Sequence, residues 1–323
     1  MGRKTYYKEE LGENIYHKKY DKNLTLQEIA DDFELAVSTV YNYLNNYKNQ
    51  INKQDEYIKD LFNESVYEIN DLELNYELLQ NEKISIYPIS DWHIGSSNCN
   101  YDYIDYMINT IEEDNNEIII IGLGDYLECA SKHVGNSSFT QQLSLDNQIE
   151  TFIDYVKPFK NNIVGLAGGN HEERLNKEFN LNILRIIGRS LNVRTGGSIL
   201  KRIIINDKPY QIFGTHGKGS SSRDELALSK IKREYNHIEA NLVLIGHLHR
   251  LKYIDELRNG IIGNYRKYSC VCGTMLSYKG SYGENMGLPR LNEGFMKIEI
   301  DNNLITKPAL YNIDECAPEL LKK

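Results

Sequence analysis

Cysteine is scarce in this chain: there are five in 323 residues, odd in number and scattered. The one close pair, Cys270-Val271-Cys272, has the wrong spacing for a zinc knuckle or a redox dithiol, so the cysteines read as reduced and structural. Long hydrophobic runs are missing too. No stretch is apolar for long enough to span a bilayer, and Met1-Gly2-Arg3-Lys4-Thr5-Tyr6-Tyr7-Lys8 leads into no apolar signal core. The expectation is a cytoplasmic protein without a membrane partner. Positive charge is also in deficit, with 37 Lys and Arg against 46 Asp and Glu for a net charge of −9. That balance excludes coating nucleic acid by charge alone and leaves room for a local basic groove. What remains, 41% hydrophobic and 26% charged, is ordinary globular composition, enough for one large domain or two unequal ones.

The chain reads in sections. Residues 1–48 are polar and helical in pattern, and 49–82 form a polar, partly helical linker. From Lys83 to residue 315, β-runs alternate with amphipathic stretches, and 316–323 is a tail. In the first section Thr25 and Glu28 make a capping box, and Leu26, Ile29, Ala30 and Phe33 then form one apolar face. A turn through Glu34-Leu35-Ala36 leads to a second helix whose Val40 and Leu44 pack back on the first. This segment resembles the helix-turn-helix of bacterial and phage DNA-binding proteins, in which a small residue such as Ala30 lets two helices approach. The resemblance implies DNA contact through Ser38, Thr39, Tyr41 and Asn42. Glu34 stands where glycine is usual, and the second helix has no Arg or Lys among these positions. Phosphate attraction would then fall to Arg3, Lys4, Lys8, Lys18, Lys19 and Lys22. The alternative is a helical hairpin that docks on the catalytic domain or on a partner, or that drives homo-oligomerisation.

From Lys83 onward, motifs follow strands. Ile84, Ile86, Tyr87 and Ile89 run into Asp91-Trp92-His93, and Ile118 to Ile121 into Gly124-Asp125-Tyr126-Leu127-Glu128. Ile163, Val164 and Leu166 precede Gly169-Asn170-His171-Glu172. Tyr210, Ile212 and Phe213 precede Thr215-His216-Gly217, and Leu242 to Ile245 precede Gly246-His247-Leu248-His249. Helical spacing recurs at Ile104, Met107, Ile108 and Ile111, and again at Ile149, Phe152, Ile153 and Val156. The runs Tyr268–Thr274 and Phe295–Ile300 read as closing strands of a second sheet. The expected fold is a four-layer α/β/β/α sandwich with a small all-α N-terminal module.

Five of the eight histidines lie in these motifs, whereas His17, His133 and His237 read as core or surface residues. Asp, His and Asn are oxygen and nitrogen donors without thiolate, a set that suits Mn²⁺, Fe or Zn²⁺ better than a Cys-rich structural zinc site does, and Mn²⁺ is the expected metal. On five loops such residues can surround two ions about 3.5–4 Å apart, the spacing used for in-line phosphoryl displacement. A carboxylate is the natural bridge, and Asp125 is the best candidate. Arg174, Arg223 and Arg250 flank the motifs as candidate phosphate ligands, with surface ion pairing the alternative for each.

Taken together, Asp91-x-His93, Gly124-Asp125, Gly169-Asn170-His171-Glu172, His216 and Gly246-His247-x-His249 resemble the calcineurin-like metallophosphoesterases over residues 83–300. The resemblance implies one metal on Asp91, His93, Asp125 and His249. It implies a second on Asp125, Asn170, His216 and His247. It makes His171 a proton donor to the departing oxygen, oriented by Glu172 or Asp91, with a metal-bridging hydroxide as nucleophile. Serine/threonine phosphatases of this superfamily carry Asp-Arg-Gly after the second motif, whereas here Glu128 is followed by Cys129 and Ala130. Ser90-Asp91-Trp92-His93-Ile94-Gly95 is similar to the first motif of the recombination-repair exonucleases. Ser144 to Gln148, Pro158 and the run through Arg174 look like phage- and prophage-borne members. The expected activity is therefore phosphodiester hydrolysis, with DNA as substrate and partner. The alternatives are a phosphomonoesterase or cyclic-nucleotide phosphodiesterase with an oligomerising N-terminus, and a non-catalytic DNA-binding regulator.

Overall fold

The computed structural model describes residues 8–20, 22, 24–47, 74–130, 141–219, 224–260, 263–287, 289–290 and 292–322. The chain divides into two compact units, Met1–Glu68 and Ile69–Lys323. Arg3, Lys4, His133 and Arg223 lie outside the described residues.

In the first unit α1 (Lys8–Tyr20), α2 (Leu26–Asp32) and α3 (37–47) enclose a core of Leu11, Ile15, Ile29, Ala30, Val40 and Leu44. The Thr25 hydroxyl accepts the Glu28 amide at 3.2 Å and the Glu28 carboxylate accepts the Thr25 amide at 2.8 Å, which closes the capping box that starts α2. Glu34 occupies the turn with φ 54°, the left-handed conformation that glycine adopts more cheaply. Ser38, Tyr41 and Asn42 are exposed, and Thr39 is half-buried. Lys18 pairs with Asp32, and Lys19 Nζ donates to the Leu24 carbonyl at 3.1 Å, so both lysines are used in bracing the module.

The second unit is built on two six-stranded sheets. One runs β1 (Leu74–Tyr76), β6 (Ser198–Ile205), β7 (Lys208–Thr215), β8 (Leu242–Ile245), β10 (Gly263–Cys272), β9 (Leu251–Gly260), and the other β12 (Thr306–Asn312), β11 (Gly294–Asp301), β2 (Lys83–Ile89), β3 (Glu117–Gly122), β4 (Ile163–Ala167), β5 (Thr195–Gly196). In β2 (Lys83–Ile89), Ile84 and Ile86 enter the core between the sheets, while Tyr87 and Ile89 enter the core under the helices. Burial on both faces is why these strands read as continuous apolar runs. The same division holds in β3 (Glu117–Gly122), with Ile119 and Ile121 inward and Ile120 outward. In β8 (Leu242–Ile245), Leu242 and Leu244 face the other sheet, while Val243 and Ile245 join a third core. Helices α4 (Tyr101–Glu112), α5 (Leu145–Val156), α6 (Asn170–Phe179) and α7 (Ile183–Leu191) cover the β2 sheet, and α8 (Asp224–Glu234) covers the β8 sheet. The result is the four-layer α/β/β/α sandwich. Among the described residues no helix is long and apolar enough to cross a membrane.

Two sequence assignments change. β10 (Gly263–Cys272) pairs with β8, whereas β11 (Gly294–Asp301) pairs antiparallel with β2, so these C-terminal runs close different sheets. Within the stretch read as linker, β1 (Leu74–Tyr76) pairs with β6 (Ser198–Ile205) as an edge strand. Its three residues are too few for a period of two to show.

Candidate metal centre

The five motifs meet where strand ends from both sheets converge. β2, β3 and β4 (Ile163–Ala167) are parallel neighbours, and so are β7 (Lys208–Thr215) and β8, so the loops that follow each group emerge on one side. The loops are cross-braced through their backbones. The Asp91 amide donates to the Gly124 carbonyl and the His93 amide to the Asp125 carbonyl, both at 3.1 Å. Between the sheets, the His247 amide donates to Asp91 Oδ2 at 2.9 Å and His216 Nδ1 donates to the Leu123 carbonyl at 2.8 Å. This bracing holds a strained backbone. Asp91 (φ 54°), His93 (50°), Asp125 (52°), His247 (65°) and His249 (50°) are all left-handed. Such residues cost about 1–3 kcal/mol each and cluster where function fixes the side chain. Close approach also requires glycine, since a Cβ on Gly169 would lie 2.1 Å from Asp125 Oδ1.

Three groups of His and carboxylate side chains that could hold a metal result: Asp91 with His93 and His249, Asp125 with His216 and His247, and His93 with Glu128 and His171. In the first, Asp91 Oδ1 lies 3.1 Å from His249 Nε2, which is 3.3 Å from His93 Nε2. In the second, His216 Nε2 lies 3.1 Å from Asp125 Oδ2, 3.0 Å from Asn170 Oδ1 and 3.1 Å from His247 Nδ1. Asp125 Oδ2 is also 3.9 Å from His93 Nε2, so this carboxylate stands between the groups. Because His216 Nδ1 donates to Leu123, it is Nε2 that faces two oxygens and a nitrogen, a position that favours positive charge, whether a proton or a metal cation. Burial opposes charge on His216, but the Asp125 carboxylate and Asp91 outweigh it and push the imidazole up to about 9. Burial would raise Asp125 as well, yet the His216 hydrogen bond and the charges of His93, His216 and His171 hold it far below the usual carboxylate range. The oxygen and nitrogen donors, buried at Asp91, His93, Asp125 and His216 and more open at Asn170, His247 and His249, are of the type that suits divalent ions, and Asp125 lies between the two groups.

The surroundings of His171 differ from the sequence expectation. Its Nδ1 donates to the Glu128 carbonyl at 2.7 Å, and Arg174 Nη2 donates to its Nε2 at 2.9 Å. Neither Glu172 nor Asp91 orients the ring. The Glu172 carboxylate instead accepts the amides of Asp125 and Gly169 at 3.0 Å and of Leu127 at 3.1 Å, so it is turned to the backbone of these loops and makes no bond to His171. Asp91 is held by the His247 amide, the Ser90 hydroxyl and His249. Burial, then the charge on His93, pulls His171 down to about 4. Burial, reinforced by nearby Asp125, raises Glu172.

Glu128, quoted within the second motif but given no role from sequence, faces His93 Nδ1 at 3.3 Å through Oε2 and lies 3.7 Å from His171 Nδ1. Its position three residues after Asp125 was the available signal. Of the flanking arginines, Arg174 stands on His171, while Arg250 is buried, 8% exposed, and so does not line an open mouth.

The family model described as calcineurin-like phosphoesterase matches residues 84–251, more than half of the chain. No curated protein matches. Solved structures that are similar include a conserved uncharacterized protein, a predicted phosphoesterase, from Streptococcus pneumoniae TIGR4. It is 14% identical, the match covers 71% of this chain and 98% of that one, and the TM-score is 0.33. A metallophosphoesterase from Sphaerobacter thermophilus is 14% identical over 74% of this chain and 93% of its own, with a TM-score of 0.34. A Vps29 single mutant from Entamoeba histolytica is 15% identical over 71% of this chain and 99% of its own, with a TM-score of 0.34.

Proposed function

Because this chain belongs to the calcineurin-like phosphoesterase family, and is thereby a metal-dependent phosphoric ester hydrolase, we propose that it cleaves phosphodiester bonds in DNA. The observation that supports the reading is the pair of His and carboxylate groups on either side of Asp125, with His171 beside them and Arg174 against its ring. When bound, two divalent ions, Mn²⁺ in our reading, would supply an activated water and clamp the phosphate oxygens. Asp91, His93 and His249 would hold one ion and Asn170, His216 and His247 the other, with Asp125 between them. His171 hands a proton to the departing oxygen. In the present arrangement its Nε2 accepts from Arg174, and an incoming phosphate offers that guanidinium a charged, bidentate acceptor in exchange. Arg174 thus binds substrate and releases Nε2, which then has to take up a proton from solvent, favoured by the negative charge of the arriving phosphate, before His171 can pass one to the departing oxygen.

DNA is favoured by the first motif, Ser90-Asp91-Trp92-His93, similar to that of recombination-repair exonucleases, and by the phage-type character of the third. The N-terminal module adds support: its helix-turn-helix-like pair leaves Ser38, Tyr41 and Asn42 exposed on α3. The test is a panel of bis-p-nitrophenyl phosphate, a phosphomonoester, and single- and double-stranded DNA, each with Mn²⁺. Diester and DNA cleavage are expected, both abolished in Asp125→Ala. Cleavage of the monoester alone would overturn the reading.

A further inference from the structure

Against a chain net charge of −9, the segment from Phe179 to Asn206 contains Arg185, Arg189, Arg194, Lys201 and Arg202 and no Asp or Glu. Most of these cations are presented outward. α7 turns Ile183, Ile187, Gly188 and Leu191 into the core, which leaves Arg189 exposed and Arg185 half-buried one turn before it, with Ile186 between them 38% exposed. Arg194 and Arg202 are exposed as well. At the corner between α6 and α7, Phe179 is 63% exposed, far more than a large aromatic side chain needs for packing.

This surface abuts the metal centre. Leu184 packs on Gly168, where an added Cβ would lie 3.1 Å from its Cδ2, and Gly168 leads directly into Gly169 and Asn170. The Leu166 amide donates to the Arg194 carbonyl at 3.0 Å and the Gly168 amide to the Gly196 carbonyl at 2.9 Å. On the far side, the Thr215 hydroxyl donates to the Gly197 carbonyl at 3.3 Å, beside His216. The strip therefore starts at the neighbours of Asn170 and His216 and runs outward along α7.

We infer that this strip is a track for single-stranded nucleic acid, whose backbone lies along Arg185, Arg189 and Arg194 and whose bases stack on Phe179. The inference rests on the phosphodiesterase reading for the direction of the strand, which leads one of its phosphates to the ligand groups. Cations alone would suit any polyphosphate. The exposed aromatic and aliphatic side chains decide for a single strand, because a duplex hides its base faces whereas an unpaired strand offers each one for stacking.

The test is fluorescence anisotropy of a labelled oligothymidylate and a labelled duplex with the full chain in EDTA, so that no cleavage intervenes. For Arg189→Glu/Arg194→Glu, single-strand binding should weaken at least about tenfold, and the slope of log Kd against log salt should fall by about 1.4, at about 0.7 per phosphate contact. Phe179→Ala, a change at an exposed position that the fold tolerates, should weaken oligothymidylate binding about tenfold and leave duplex binding unchanged. Wild-type affinity and slope in the charge-reversed variant would overturn the inference, as would failure of the wild type to bind. Equal losses for duplex and single strand, with no effect of Phe179→Ala, would also overturn it by making the strip a duplex contact. Failure of the Mn²⁺-loaded wild type to cleave DNA would instead count against the nuclease reading, because binding is measured apart from cleavage.

Discussion

Glu172 Oε2 accepts the backbone amide of Asp125 at 3.0 Å, so a buried carboxylate from the third motif fixes the loop that carries Asp125 of the second. With Leu127 and Gly169 also donating to it, the side chain closes three amides that water cannot reach. Glu172→Gln keeps the shape but has one acceptor oxygen and sets an NH₂ against an N–H. We expect about 1–3 kcal/mol of destabilisation, the cost of a buried donor left unpaired, read as a lower urea midpoint. A wild-type midpoint in Glu172→Gln would show that the carboxylate does not clamp the loops.

A proton donor and a metal ligand fail differently. His171→Ala should lower kcat for bis-p-nitrophenyl phosphate by about 10²–10⁴, the range for loss of a general acid, with metal content by elemental analysis unchanged. Asp125→Ala should lose metal together with activity, since its Oδ2 serves both groups. Loss of metal in His171→Ala would reassign that residue to the ligand set.

The positions of the motifs were legible in sequence because the strands that deliver them are buried on both faces. Ile118 to Ile121 admits no polar residue before Gly122, and the chain then turns at Gly124 into Asp125. Chemistry supplied the donor types, and the division into two ligand groups came from the resemblance of the motifs to the family. The partner of Glu172 was not legible: it closes amides that belong to distant residues of any type, and a backbone contact leaves no mark on sequence. Nor was the sheet joined by Phe295–Ile300, because antiparallel pairing of Ile298 with Ile86 requires only that both be apolar. The orientation of His171 depends on the Glu128 carbonyl, which is equally silent.

Far from the metal centre, Asp114 offers a pH-dependent contribution to stability. Burial raises its carboxyl, but hydrogen bonds from Ser85, Lys297 and Tyr87 outweigh that and hold it below 3.8. Lys297 Nζ lies 3.0 Å away. A folded value below the unfolded one means that the stabilisation is fully present above about pH 4 and is lost as the pH falls through the folded value. Asp114→Asn should therefore cost on the order of 1 kcal/mol at pH 7 and progressively less toward pH 2, measured by urea denaturation across that range. A constant difference between variant and wild type would rule out the ionised carboxylate as the cause.

Ala30 lies 1% exposed in the core of the N-terminal unit, packed with Ile15, Ile29, Val40 and Leu44, where a larger side chain has no room. Ala30→Leu should push α2 and α3 apart at about 1–3 kcal/mol, the usual cost of overpacking. Tyr41 and Asn42 would then lose their placement on α3 without any change of their own. In the DNA-binding reading, the variant should show a weaker gel shift on duplex DNA while hydrolysing bis-p-nitrophenyl phosphate at the wild-type rate, since that small diester needs only the metal centre. Tyr41→Ala/Asn42→Ala, which alters only exposed positions, should reproduce the binding loss with the module still folded by circular dichroism. If that double variant shifts DNA like the wild type while Ala30→Leu changes only the association state seen on a sizing column, the three helices serve self-association and the DNA-binding reading fails.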